Sequence, residues 1–139
     1  VQMLMQRLAT QKSAYPFLIN FGGDLRVNGP RNNNKAWKTG IEHNNTKGTN
    51  SQPSGIIHLK QGAITTSGTA RQHITINNKR YGHILNPKTG WPVRNPPESI
   101  TIAASTCIEA GLLSTLAMLH GEKAEDFLDS QDSHHWISR

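Results

Sequence analysis

The sequence predicts an α+β fold: an antiparallel sheet built from hairpins and packed against two or three helices. Three observations carry this. Short β-branched and aromatic runs come in pairs joined by turn residues, as in FLINF-GGD-LRVNG and QHITI-NN-KRYGHI. Helical periodicity is confined to the first ten residues and the last third of the chain. The connections between the runs are tight turns, which make antiparallel neighbours, whereas parallel strands need crossovers of a dozen or more residues.

Taken in order, Val1, Leu4, Met5 and Leu8 recur at helical spacing and predict an amphipathic helix over residues 1 to about 10. Phe17 to Phe21 reads as a buried strand stopped by Gly22 and Gly23, which with Asp24 turn the chain into LRVNG. Trp37 to Glu42 and Gly55 to Lys60 read as strands joined by a polar surface loop, His43 to Ser54. Ala63 to Arg71 contains a further strand, and Gln72 to Ile84 a hairpin turning at Asn77 and Asn78.

After the strand ESITIAAS, Thr106 and Glu109 form a capping box and Gly121 supplies a left-handed stop, which bounds a helix with Ile108, Leu112, Leu116 and Leu119 as its expected core face. A short helix from Glu122 to about Ser130 turns Ala124, Phe127 and Leu128 inward, and His134 to Ile137 closes the chain as an edge strand.

The chain has 139 residues, which fits a single domain over 1–139. Hydrophobic residues make up 35% and aromatics 6%, lean for a self-sufficient core and consistent with a piece that packs against something else. Exposed apolar surface on the N-terminal side, and self-association into a homo-oligomer through it, are therefore expected. Cys107 is the single cysteine, which excludes an internal disulfide and any cysteine-rich metal cluster. No apolar run reaches membrane-spanning length, and no signal peptide or lipobox is present. A net charge of +6 favours anionic partners, but the basic residues are scattered and not interleaved with aromatics, which argues against nucleic acid.

Chemistry concentrates in RYGHILNPKTGWPV, Arg80 to Val93. His83 can donate or accept a proton or hold a phosphate oxygen. Pro87, Thr89 and Gly90 form a turn by composition; a nest-like cradle, with Gly90 letting amides approach an anion and Thr89 adding a hydroxyl, is compatible with it. Thr66, Ser67 and Gly68 suit phosphate or ribose contacts, and a simple strand end explains them nearly as well. Asp24 has two open readings: it caps its own turn, or it points into a ligand cleft.

Arg80 to Val93 resembles the Tyr-x-His-Ile-x-Asp-Pro-x-Thr-Gly signature of the ApbE family, the FAD:protein FMN transferases. FLINFGGDLRVNG, WKTGIE, AITTSGTAR and Ser99 to Gly121 resemble further family segments in the same order, so the likeness covers nearly the whole chain. Members carry an upstream part as well, including a Lys-Gly segment, so the chain is expected to lack the N-terminal half of the family domain. Many members are exported lipoproteins. The resemblance implies FAD and Mg²⁺ as cofactors, a flavoprotein acceptor, His83 in the active site, and Gly22, Gly23, Asp24, Thr66, Ser67, Gly68, Asn86, Pro87, Thr89 and Gly90 against the flavin nucleotide. The implied reaction cleaves the FAD pyrophosphate, places FMN on a Ser or Thr hydroxyl and releases AMP.

Departures from the family pattern cluster at the metal. In the family an Asp on the capped helix and a Thr four residues later ligate Mg²⁺; here Thr115 is retained and Gly111 stands in place of the Asp. Asn86 replaces the signature's Asp, and Thr69 a common acidic residue. Magnesium prefers charged oxygen ligands, so three lost carboxylates weaken its site while making the cleft less repulsive to an anionic dinucleotide. Gly111 costs its helix about 1 kcal/mol relative to Ala, which suggests a close approach by either a ligand or a neighbouring strand. The alternative to a transferase is a divergent flavin-binding or protein-interaction module.

Overall fold

The computed structural model describes residues 15–42, 53–69 and 73–139, together with Met3 and Arg7. The helix expected over residues 1–10 lies, those two positions apart, outside the described residues, as does most of the 43–54 loop.

The described residues form nine strands: β1 (Leu18–Phe21), β2 (Asp24–Val27), β3 (Trp37–Ile41), β4 (Gly55–Leu59), β5 (Gly62–Gly68), β6 (His73–Ile76), β7 (Lys79–Gly82), β8 (Ser99–Ala104) and β9 (His134–Ser138). Two α-helices follow β8: α1 (Cys107–His120) and α2 (Ala124–Ser130), separated by one 3₁₀ turn. The main sheet has the order β1-β2-β5-β8-β9, every neighbouring pair antiparallel, while β3–β4 and β6–β7 are separate two-stranded ribbons. This is the α+β architecture that the hairpin pattern predicts. Asn77 and Asn78 both have positive φ, 49° and 59°, as a two-residue hairpin turn matched to strand twist requires.

Register fixes the faces of the sheet. Ser67, Thr65 and Ala63 of β5 lie opposite Ile100, Ile102 and Ala104 of β8, and directly paired residues share a face. Onto that face pack α1 and α2: Ile100 and Ile102 meet Ala110, Ala117, Met118, Ala124 and Leu128, with Ile84, Leu113, Phe127 and Ile137 around them. Phe127 also stacks its ring on His120, 4.4 Å between centroids.

The core face expected for α1 is corrected by the structure. Its buried residues are Cys107, Ala110, Ser114, Ala117 and Met118, whereas Ile108 is 67% exposed, Leu112 58% and Leu116 36%. A helix apolar on both sides gives a periodicity that cannot choose between them, and here the small side chains face the sheet because they let the backbones approach. The caps hold as expected: Thr106 Oγ1 accepts from Glu109 N at 3.1 Å, and Gly121 takes φ 60°. The Glu109 carboxylate accepts from Ser105 Oγ at 2.6 Å instead of closing the box on the Thr106 amide. A second correction concerns β1, which is an edge strand and not a buried one, with Phe21 72% exposed.

Truncation should separate the two sides of α1. Met118→Ala is expected to lower unfolding free energy by about 2–5 kcal/mol, and Leu112→Ala by well under about 1 kcal/mol, in urea titrations followed by circular dichroism. Equal losses would mean the outward row is packed in solution.

Candidate functional site

Thr66 and Ser67, adjacent on β5, point to opposite faces. Thr66 Oγ1 pairs with Thr101 Oγ1 at 2.8 Å on the face away from the helices. Ser67 Oγ reaches α1, 2.8 Å from Ser114 Oγ and 3.3 Å from Thr115 Oγ1. Ser114 Oγ also lies 3.1 Å from the Gly111 carbonyl, which can only accept; with the Ser114 proton there, Ser67 donates to Ser114, and Thr115 to Ser67. Thr115 thereby keeps its acceptor lone pairs for an incoming donor or cation. Ser114 was not among the residues expected from sequence; its place next to Thr115 in LLST was the available signal. Gly68 has a packing reason of its own, since a Cβ there would stand 2.7 Å from the Glu98 carbonyl oxygen.

Gly22 and Gly23 turn β1 into β2 with φ 66° and 102°. Since β2 runs antiparallel to β5, this turn sits at the same end of the sheet as Thr66 to Gly68. The residue that caps the turn is Asn20, whose Oδ1 accepts from Gly23 N at 3.1 Å, and not Asp24. Burial pushes the Asp24 carboxyl above its usual range. Burial, and then the negative charge of Asp24, push the Cys107 thiol up as well, which keeps that cysteine in its unreactive protonated form.

The signature loop is braced from within. Ile84 O accepts from Val93 N at 3.1 Å, and Asn86 N donates to Trp91 O at 2.8 Å. The Asn86 carbonyl accepts from Thr89 N and Gly90 N, the Asn86 Oδ1 from Lys88 N at 2.9 Å, and the Thr89 Oγ1 from Trp91 N at 3.3 Å. Pro87 has no N–H, and Gly90 takes φ 69° to close the turn. The amides expected to cradle an anion are engaged inside the turn, which corrects the amide part of the nest reading; the Thr89 hydroxyl accepts from Trp91 N and keeps its proton to donate. What the loop turns outward is the exposed His83. Its neighbour Gly82 rests against Thr69, where an added Cβ would stand 2.6 Å from Thr69 Cγ2, so the loop is seated on the end of β5 just past Ser67 and Gly68.

The structure thus brings Ser67 and Thr115 into direct contact and the His83 loop to the same strand end. Thr66 is sent to the other face, and the Gly22 to Asp24 turn shares the sheet end without a hydrogen bond to the cluster among the described residues. A cavity of about 800 Å³ lies nearby, bounded by β7, by Trp91 to Pro96 and by Thr69; none of the site residues expected from sequence lines it.

The metal expected at Thr115 does not fit the described donors. No group of three or more His, Cys, Asp or Glu side chains gathers among the described residues. Among the described residues nothing lies within 4 Å of where a Cβ on Gly111 would stand, so none of the described strands makes the close approach considered for that glycine.

Known proteins resemble this chain in sequence and in fold. The model of the ApbE family matches residues 1–137. Among curated relatives, the FAD:protein FMN transferase of Haemophilus influenzae is 33% identical over 112 residues, 81% of this chain and 32% of its own length. That of Klebsiella pneumoniae is 30% identical over 128 residues, 91% of this chain and 36% of its own length. The crystal structure of the ApbE protein from Thermotoga maritima superposes with a TM-score of 0.80 at 28% identity, covering 95% of this chain and 43% of that one. The chain belongs to the ApbE family, a family of flavin transferases, and spans about a third of the length of the curated relatives it matches.

Asp24 supplies a pH test of the site. With a folded pKa above the usual 3.8, the folded state holds its proton longer than the unfolded chain, so stability falls as pH rises through that value and the raised one, and the loss persists at neutral pH. Asp24→Asn is expected to raise the thermal unfolding midpoint at pH 7 and to leave it unchanged in acid below 3.8. A variant equally displaced at both pH values would contradict this.

Proposed function

We propose that this chain binds FAD across the Ser67–Thr115 contact and the His83 loop, and takes part in transferring FMN to a Ser or Thr hydroxyl of a flavoprotein. The observation that carries the reading is the bridge from Ser67 Oγ to Thr115 Oγ1, 3.3 Å. It joins the Thr-Ser-Gly strand to Thr115, the helix residue that family likeness assigns to the metal, on the strand end where the His83 loop is seated.

In this reaction the acceptor oxygen attacks the FMN-side phosphorus of the pyrophosphate. The P–O bond to the AMP phosphate breaks, AMP leaves, and the acceptor hydroxyl loses its proton. His83 holds a phosphate oxygen or takes up that proton, a role general acid–base groups fill with rate factors of about 10²–10⁴. Ser67 and Ser114 hold the Thr115 hydroxyl toward the phosphates. Mg²⁺ bound to those phosphates would supply Lewis-acid polarisation. This chain offers it one neutral hydroxyl, that of Thr115.

A second reading, a flavin-binding module without transfer, is favoured by one observation: Gly111 leaves Thr115 without a carboxylate beside it. A single assay divides the two. The chain is incubated with FAD, Mg²⁺ and a Ser/Thr acceptor peptide, and the denaturing gel is viewed under ultraviolet light. Transfer predicts a fluorescent band that His83→Ala weakens by about 10²-fold or more. FAD binding without a band leaves the module, and neither result sinks both.

Gly111→Asp introduces a carboxylate one turn from Thr115. Its Mg²⁺ affinity, titrated calorimetrically in the presence of FAD, is expected to rise by at least about tenfold. Unchanged affinity would mean that Gly111 and Thr115 do not flank the phosphates.

A further inference from the structure

We propose that the cavity where β2, the β4–β5 turn and the end of β8 meet is a second ligand site, one for a small organic monocarboxylate. It lies at the Gly62 end of β5, and roughly 16 Å of extended strand separates Gly62 from Ser67, so it is distinct from the Thr115 and His83 region.

Strand register places a cation here. Arg26 of β2 pairs with Ala63 of β5, and Ala63 with Ala104 of β8, so the Arg26 side chain stands on the face of the sheet that carries the helices, near the strand ends. Among the described residues no carboxylate forms an ion pair with it, not even Asp24 on the same face of β2. Its Nε and Nη1 atoms are buried and find no hydrogen-bond partner there. A guanidinium cannot shed its charge by losing a proton, and donors of a charged group that have lost water are as a rule paired with an acceptor. Arg26 forms part of the cavity wall, so the missing acceptor can arrive from that side.

Charge and size select the ligand. The cavity encloses about 570 Å³, and its described lining holds no carboxylate and no permanent charge besides that of Arg26. One cation balances one negative charge, whereas a phosphate dianion would bring a surplus. The volume falls within the range of small-molecule sites and far exceeds a bare carboxylate, so the occupant has a body as well as a head. Leu59, Ala103 and Ala104 supply an apolar stretch of wall for that body, while Gln61 and His134 stand exposed at the rim. The carboxylate takes one fork of the guanidinium, Nε with Nη2 or Nη1 with Nη2, and either fork includes a nitrogen now without a partner.

The probe is hexanoate, titrated calorimetrically into the chain beside hexanamide, which keeps the shape and lacks the charge. Hexanoate is expected to bind, and hexanamide at least about tenfold more weakly. Arg26→Gln should weaken hexanoate by about tenfold or more and leave the hexanamide titration as it was. Exposed Gln61 gives variants that leave the buried guanidinium untouched: Gln61→Glu should weaken hexanoate by about threefold or more, and Gln61→Lys tighten it by a similar factor. Circular dichroism should be unchanged in both, and FAD should leave bound hexanoate in place. The proposal is overturned if acid and amide bind alike, if neither binds, if a folded Arg26→Gln binds hexanoate undiminished, or if inorganic phosphate binds more tightly than hexanoate. Displacement of hexanoate by FAD also overturns it, because the cavity would then belong to the flavin. Should Arg26→Gln fail to fold, the Gln61 variants decide, and equal hexanoate affinity in the two is the contrary result.

Discussion

The close seat of α1 on β5 and β8 is the constraint from which the rest of the arrangement follows. Ala110, Ser114 and Ala117 keep the helix near the sheet, and only at that separation can the short side chain of Ser67 reach both Ser114 and Thr115. A Leu at any of the three would push the helix away by a side-chain length and break the hydroxyl relay. The same seat fixes the far end of the helix. Gly121, with φ 60°, lies where an added Cβ would be 2.8 Å from the Arg94 carbonyl oxygen, so the helix stop and the end of the signature loop are packed against each other. Core packing thus positions the chemistry directly, with no intervening flexible element.

Much of this was legible in the residues. Paired strands, the Asn77–Asn78 turn, the Thr106 cap and the Gly121 stop each have a local cause, in turn chemistry or in satisfaction of backbone groups, and each appears as read. The inward face of α1 was not legible, because Ile108, Leu112 and Leu116 advertise burial as strongly as the core residues do, and sequence does not reveal which apolar row meets the sheet. Ser114 escaped notice for the complementary reason: beyond its place next to Thr115, a small polar residue within a helix shows its role only once its partner on the sheet, Ser67, is known. The amide cradle expected at Gly90 was not legible either, for a reason of backbone bookkeeping. Composition shows that amides are present in a turn but not whether they point inward, and here the turn uses its own amides.

The outward row of α1 gives the composition its physical meaning. A helix apolar on both faces is at home between two layers, and here the described residues supply one of them. Family relatives are about three times as long as the stretch matched here. A strand end, a helix hydroxyl and the His83 loop meet at one end of the sheet.

The most direct test of the central claim is a crystal structure of the chain grown with FAD. The account predicts the pyrophosphate within hydrogen-bonding distance of the Thr115 hydroxyl, with the His83 ring on the same phosphates and Ser67 still bridging to α1. Well-defined flavin density elsewhere on the molecule, with Thr115 and His83 untouched, would contradict it.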